Sequence, residues 1–312
     1  TIDGRLNESI YAETPSMSDF IQSAPLEGQK ATEITEVWVF YDEDNVYVSV
    51  RAHESDPSRI VASEMRRDNT SVFAGSDAVG FILDTFYDRG NGALFTVNAV
   101  GGLADGQVTN ESVYNANWNP IWDAQVTRIA EGWSFEAVVP FKSLRYQPGD
   151  EQVWGFNVRR VNRAKNEESF LTRIPIAKVQ QGILQSSLAA TLVGLRVPSG
   201  ARNLDVKPYV TGSMATDLAV RPQRPNDATG DVGLDVKYGI TQNISADFTY
   251  NTDFAQVEAD EQQINLTRFS LFFPEKREFF LENRDTFTFG GVTTGGDAPV
   301  LFYSRRIGLD TG

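Results

Sequence analysis

The chain has 312 residues, 41% of them apolar, which is room for one large or two ordinary domains with a proper core. It carries 28 Lys+Arg against 42 Asp+Glu, a formal charge of −14 at a pI near 4.6, which argues against nucleic acid as a partner because phosphate binding needs a basic patch. With no cysteine and one histidine, His53, disulfides, thiolate metal sites and His-rich metal sites are excluded, and a Ser-His-Asp triad would need that one imidazole in place by chance.

No stretch approaches the ~18 apolar residues of a transmembrane helix. The chain begins at TIDGRLNE without an initiator methionine, as expected of a processed or engineered N-terminus. The pattern is β almost throughout. In residues 36–52, Val37, Val39 and Tyr41 alternate with Trp38, Phe40 and Asp42. A polar turn at Asp42–Asn45 follows, and Val46, Val48 and Val50 resume the alternation. This predicts a hairpin with period 2 on both arms, with His53 as a surface or turn residue at its end. Further strands are expected at Ala78–Phe86, Ala93–Val100, Ala124–Ile129, Trp133–Val139 and Val153–Asn162. Turn clusters at Tyr87–Gly92, Gly101–Gly106, Glu131–Gly132 and Gln147–Asp150 separate them. Short strands between Gly/Asp/Pro turns predict a sandwich rather than a βαβ fold. Helical stretches are expected to be short, at Pro57–Glu64 and Pro140–Leu144, where proline suits a first helical turn.

Near Leu195–Asn203 the composition shifts, and Pro198, Ser199 and Gly200 read as a linker between residues 1–197 and 198–312. In residues 231–251, Val232, Leu234, Val236, Tyr238 and Ile240 form one face and Asp231, Gly233, Asp235, Lys237 and Gly239 the other. After a turn at Thr241–Asn243, Ile244, Ala246, Phe248 and Tyr250 alternate with Ser245, Asp247 and Thr249. Arms of about nine residues with an apolar face ending in tyrosines match membrane-spanning strands, and an ordinary half-buried soluble sheet gives the same alternation. The segment that follows mixes acids with Phe272, Phe273, Phe279 and Phe280, which must pack on something, and Val300–Ser304 is strand-like. Only about four barrel-type strands can be counted after residue 200, whereas closed barrels need at least ~8. The expectation is therefore that a barrel continues beyond this chain, or that these strands cover a soluble core.

The opening IDGRLNE, the hairpin EVWVFYDEDNVYVSVRA, the stretch SDAVGFILDTFYDRGNGALFTVNAVGGLADG and the stretch WDAQVTRIAEGWSFEAVVPFKSLRY resemble the carbohydrate-binding family-9-like domain. The stretches KYGITQNISADFTYNTDFAQVEADEQQINLTRFSLFFPEKREFFLEN and LFYSRRIG are similar to the uncharacterised domain that commonly follows it in large outer-membrane proteins. The resemblance implies an all-β chain: an N-terminal β-sandwich of jelly-roll type, then antiparallel strands of an incomplete outer-membrane β-barrel. It also implies an exported protein at the bacterial outer membrane or cell surface, with a poly- or oligosaccharide as partner. A fold does not guarantee the function its name carries.

Sugar recognition needs aromatic faces and planar polar side chains. Residues Tyr114–Asp123 (YNANWNPIWD) hold three aromatics and three asparagines in an expected loop. Trp118 and Trp122 lead as binding platforms, with Tyr114 and Asn117 beside them, and one of the two tryptophans, more naturally Trp122, is the expected core plug. Trp38, Trp133 and Trp154 fall in strands and are expected in the core. By the resemblance, Arg66 and Arg67 lie near the concave face of the sandwich, where an arginine fork can bind sugar hydroxyls or pair with Asp84 or Asp88. Asn98 and Asp105 flank the next turn and suit either role. Family-9 modules often hold structural calcium. The clusters Asp42–Asn45 and Asp84–Asp88 have the right atoms, but neither has EF-hand spacing, and the ligands stay unassigned. No GxSxG, P-loop or HExxH motif is present, and GGLADG lacks a following helix, so it reads as a turn. The expected protein is non-enzymatic, with a glycan-binding module as the first reading, a plug, docking or assembly domain as the second and a glycan hydrolase as a distant third.

Overall fold

The computed structural model describes residues 2–116, 118–147, 149, 151–197, 204–217, 224–239 and 245–251. The chain divides into two compact units, Thr1–Ala201 and Arg202–Gly312. Each is described by itself.

The first unit is an all-antiparallel sandwich. Its strands are β1 (Ile21–Ala24), β2 (Thr35–Tyr41), β3 (Asn45–His53), β4 (Ala78–Asp84), β5 (Gly92–Asn98), β6 (Leu103–Thr109), β7 (Val113–Asn115), β8 (Asp123–Ile129), β9 (Gly132–Pro140), β10 (Glu151–Asn162), β11 (Glu167–Phe170) and β12 (Ala190–Arg196). One sheet has the order β2-β3-β9-β8. The other runs β1-β11-β10-β4-β5-β6-β7, with β12 also paired to β10. The β2–β3 hairpin forms as its alternation predicts, with Val37 opposite Val50 and Val39 opposite Val48. Its turn is closed by the Asp42 carboxylate, which accepts the N–H groups of Asp44 and Asn45 at 2.8 Å each. The inward rows, Val37, Val48, Val50, Phe135 and Ala137 facing Phe81, Leu83, Phe95 and Val158, build the core together with Trp133 and Trp154.

The outer faces are covered too. Every residue of β4 is buried, and its near-continuous apolar run (AVGFILD) reflects that. Ile82, Leu94, Val108 and Phe170 on its outer side pack under Ile174, Ile183 and Leu184 of a 3-10 segment, Ile176–Leu184. On the other sheet, Trp38 lies beneath the N-terminal segment: its Nε1 donates to the Thr14 carbonyl at 2.9 Å, and Tyr11 stacks edge-on against it at 5.3 Å. Glu136 anchors this strap, accepting from the N–H groups of Asp3 and Gly4 and from the Tyr11 hydroxyl.

Several elements differ from expectation. Gly101–Gly106 is not one turn, because β6 begins at Leu103. The helical stretches shrink to single 3-10 turns at Pro57–Arg59 and Phe141–Ser143. Strands β1 and β11 gave no periodic signal because their sequences, IQSA and EESF, bury polar side chains. Those polar groups are held by hydrogen bonds instead, such as Thr32 N–H and Oγ1 to the two Glu167 oxygens.

In the second unit the described strands are β13 (Leu204–Asp217), β14 (Arg224–Gly239) and β15 (Ser245–Tyr250), in the order β13-β14-β15. β14 starts earlier than the alternation from 231 suggested, and β13 went unread. Val206 pairs with Val236, Val210 with Val232, and Val236 with Phe248. Tyr250 pairs with Leu234, and Tyr238 lies four residues along β14, opposite Ala246. The expected turn at Thr241–Asn243, Pro198–Gly200, the phenylalanines 272–280 and the strand-like 300–304 lie outside the described residues.

Candidate functional site

The aromatic segment after β7 crosses from one sheet to the other and enters β8. It does not present two tryptophans to solvent. Trp122 is 5% exposed and is wedged among Phe81 and Phe95, with ring centroids at 6.4 and 5.0 Å. Its Nε1 donates to Asp105 Oδ1 at 2.7 Å. It is therefore a core residue with a satisfied N–H, and it leaves the site. Trp118 is only partly buried and meets Phe95 edge-on at 5.8 Å. Asn117 lies outside the described residues.

The organising residue is Asp105, in the middle of β6 and pointing inward opposite Phe95. It is fully buried. Oδ1 accepts from Trp122 and from Arg67 Nη2 at 2.6 Å, while Oδ2 meets no protein donor. Its backbone N–H donates to Asp68 Oδ1 and its carbonyl accepts from the Tyr114 hydroxyl at 2.8 Å. Burial pushes its carboxyl above the ordinary carboxylate range, against the pull of Trp122 and Arg67. Burial likewise raises the Tyr114 hydroxyl. The Tyr114 ring lies on Gly106, where an added Cβ would stand 2.2 Å from Cε2. Tyr114 is thus a packing residue with a tied hydroxyl.

Arg67 and Arg66 part company. Arg67 spans the site, donating also to the Pro120 carbonyl at 3.1 Å and lying over the Trp122 ring at 5.8 Å, with its side chain 37% exposed. Its ion pairs are with Asp105 and, at 3.7 Å, with Asp68, not with Asp84 or Asp88. Arg66 points into solvent and forks onto Glu64 alone, which holds that carboxyl down to about 2. Asn98 is fully buried and structural: Oδ1 accepts from the N–H groups of Val100 and Gly102, and Nδ2 donates to the Glu64 carbonyl. Asn98 and Trp122 are therefore buried rather than ligand-facing, whereas Arg66 is exposed and paired with Glu64. Among the described candidates, the Trp118 indole and the Arg67 guanidinium are partly exposed and are seated on the cross-strand neighbours Phe95 and Asp105.

Asp105 was the residue that sequence reasoning left undecided. The signal was present: Leu103, Asp105 and Gln107 occupy one face of a strand, and a carboxylate in an inward row needs partners. The single histidine shares a hydrogen bond with Glu36, whose Oε2 lies 2.9 Å from His53 Nε2 and 3.2 Å from Arg51 Nη1. The two acidic clusters with calcium-like composition direct their oxygens at turn N–H groups: Asp84 accepts from Asp88 and Arg89, and Asp88 from Gly90 and Asn91. Among the described residues no three His, Cys, Asp or Glu side chains converge in a metal-binding group.

Residues 201–311 match a family described as "Domain of unknown function (DUF5916)". No curated protein matches the chain. Among solved structures the chain is similar to a carbohydrate binding module family 9 from Caldicellulosiruptor kristjanssonii in complex with cellotriose, at 16% identity over 65% of this chain and 91% of that one, TM-score 0.43. The same module in complex with glucose gives 15% identity over 64% and 92%, TM-score 0.44. A putative carbohydrate-binding protein from Bacteroides uniformis gives 14% over 58% and 87%, TM-score 0.43.

Proposed function

We propose that the sandwich is a non-catalytic glycan-binding module of an exported bacterial surface protein. The observation that carries this is that Trp118 and Arg67 are seated on cross-strand neighbours, Trp118 on Phe95 and Arg67 on Asp105. Both are partly exposed, and a buried carboxylate fixes the guanidinium while Phe95 fixes the indole. An aromatic face beside a planar donor is the combination that packs on sugar C–H groups and hydrogen-bonds sugar hydroxyls. Rigid seating limits the entropy lost on binding.

The test is a glycan array on the intact chain, followed by calorimetric titration of the strongest hit. Trp118→Ala is expected to weaken binding at least ten-fold with unchanged thermal stability. Trp122→Ala is unsuitable as a probe, because removing a buried indole costs about 3–5 kcal/mol of stability. Absence of any hit, or a Trp118→Ala variant that binds as tightly as the parent, rejects the reading.

A second reading, a docking or assembly domain, is favoured by one observation. The outer face of β4 and β5 lies under the 3-10 segment, so that sheet offers no open groove there.

A further inference from the structure

The fold treats two adjacent arginines of β10 in opposite ways. Arg160 points into the sandwich and is saturated: it donates to the Ile34 and His53 carbonyls, to Thr35 Oγ1 and to Glu54 Oε1. Arg159 lies on the outer side of the same strand, in the row of Phe170. Its side chain is only 12% exposed, yet it donates no hydrogen bond to any described residue. A guanidinium carries five donors. The cross-strand neighbours of Arg159, Phe170 on β11 and Gly80 on β4, bring no acceptor side chain. Its ion-pair partner Glu168 stands off, with Oε2 3.8 Å from Nη1, beyond hydrogen-bond reach. The ring of Phe73, from the short helix Ser71–Ala74, lies 5.9 Å from the guanidinium carbon. Burial pulls the Arg159 guanidinium below its ordinary range; Glu168 opposes that and Arg163 adds to it.

The neighbours of Arg159 share its deficit. Arg163 Nη2 donates to the Phe73 carbonyl at 2.8 Å, but its buried Nε meets no acceptor. Two residues back along β10, on the face of Arg159, Asn157 is fully buried. Its Oδ1 accepts from the N–H groups of Val158 and Thr172, which leaves Nδ2 as a donor with no acceptor. The Thr172 hydroxyl is buried without a partner as well. Four side chains thus hold unmatched groups able to donate, against one unmatched acceptor, Glu168 Oε2. Buried donors and buried charge are costly unless matched. We propose that Arg159, Arg163, Asn157 and Thr172 form a binding site for an oxyanion, a carboxylate or phosphate group, with Arg159 as its main contact. Such a group brings only acceptors and a negative charge, and it bonds most strongly to guanidinium donors. The chain as a whole carries a formal charge of −14 and repels anions, so affinity has to come from this local arrangement. The inference does not rest on the glycan reading, and inorganic phosphate or a carboxylated sugar would each supply the chemistry.

The test is calorimetric titration of the intact chain with inorganic phosphate and, separately, with glucuronate, at constant ionic strength in chloride buffer. Saturable binding of at least one is expected; phosphate alone points to the free anion, glucuronate alone to a carboxylated sugar. Arg159→Gln is expected to weaken that binding roughly ten-fold or more, the loss of a hydrogen bond to a charged group. Thr172→Val is expected to weaken it in the same direction. Arg196→Gln removes the same charge from an exposed position at the far end of β10 and should leave the affinity unchanged. Without either ligand, Arg159→Gln should melt at or above the parent temperature, because it removes a buried charge that has no hydrogen bond. Three results overturn the proposal: no binding of phosphate or glucuronate, an affinity that Arg159→Gln lowers no more than Arg196→Gln does, or an Arg159→Gln variant that melts well below the parent. Glucuronate binding that is lost in Trp118→Ala but kept in Arg159→Gln would sink this site and leave the glycan reading standing.

Discussion

Asp105 shows how one buried side chain can organise a site without facing a ligand. Its carboxylate fixes Arg67 and Trp122, and its main chain fixes Asp68 and Tyr114. Because burial raises its pKa in the folded state, the sign of its pH linkage is opposite to that of a surface carboxylate. Its contribution is fully present below the unfolded carboxylate pKa and is lost as pH rises through the raised folded value. The stability advantage of the parent over Asp105→Asn should therefore grow as pH falls through the raised folded value toward the unfolded one, measured as the difference in urea midpoints. A constant difference across that range would contradict the assignment. Glu36 has the reverse sign. Burial raises its pKa, but His53 and Arg51 outweigh that and hold it low. Its stabilising contribution is present above the unfolded pKa and is lost as pH falls through the folded one.

At the scale of elements, the β6–β7 edge depends on a glycine. Gly106 lets the Tyr114 ring lie flat against the strand, and that ring cannot move without giving up its hydroxyl contact to the Asp105 carbonyl. Gly106→Ala should cost about 1–3 kcal/mol by overpacking, read as a lowered urea midpoint, and should weaken glycan binding by displacing Asp105. Stability equal to the parent would show that the edge opens freely. The strands that sequence patterning found are those with apolar residues at every second position, such as β2, β3 and β9. It missed β1 and β11, whose inward residues are polar, and it missed β6, whose first residues it read as part of a Gly101–Gly106 turn. Local sequence cannot distinguish a polar residue that faces water from one that completes a buried network.

At the scale of the molecule, the two units are built on different principles. The sandwich has its own core, closed on both sheets by residues that lie between Phe20 and Val197. A fragment ending at residue 201 should therefore fold on its own and melt in one cooperative transition, with near-UV dichroism and intrinsic fluorescence giving coincident curves. Failure to fold would mean that the second unit supplies core contacts. The second unit's described sheet has its apolar residues outward, so its stability is expected to depend on the medium around it.

The sequence alone determined the β character of the chain, the β2–β3 hairpin, the division of character near residue 200 and the two-faced pattern after residue 231. Period-2 alternation and turn residues are local, and they survive in one dimension. Tertiary structure decided what those patterns left open. Trp118 and Trp122, four residues apart in one loop, took different roles because one ring is enclosed by Phe81, Phe95 and the Asp105 carboxylate, while the other meets Phe95 edge-on and stays partly exposed. Arg66 and Arg67, adjacent in sequence, diverged because successive side chains point in different directions and only one could reach Asp105. Which face of an alternating strand is covered depends on what lies above it, and only the folded chain brings that into place.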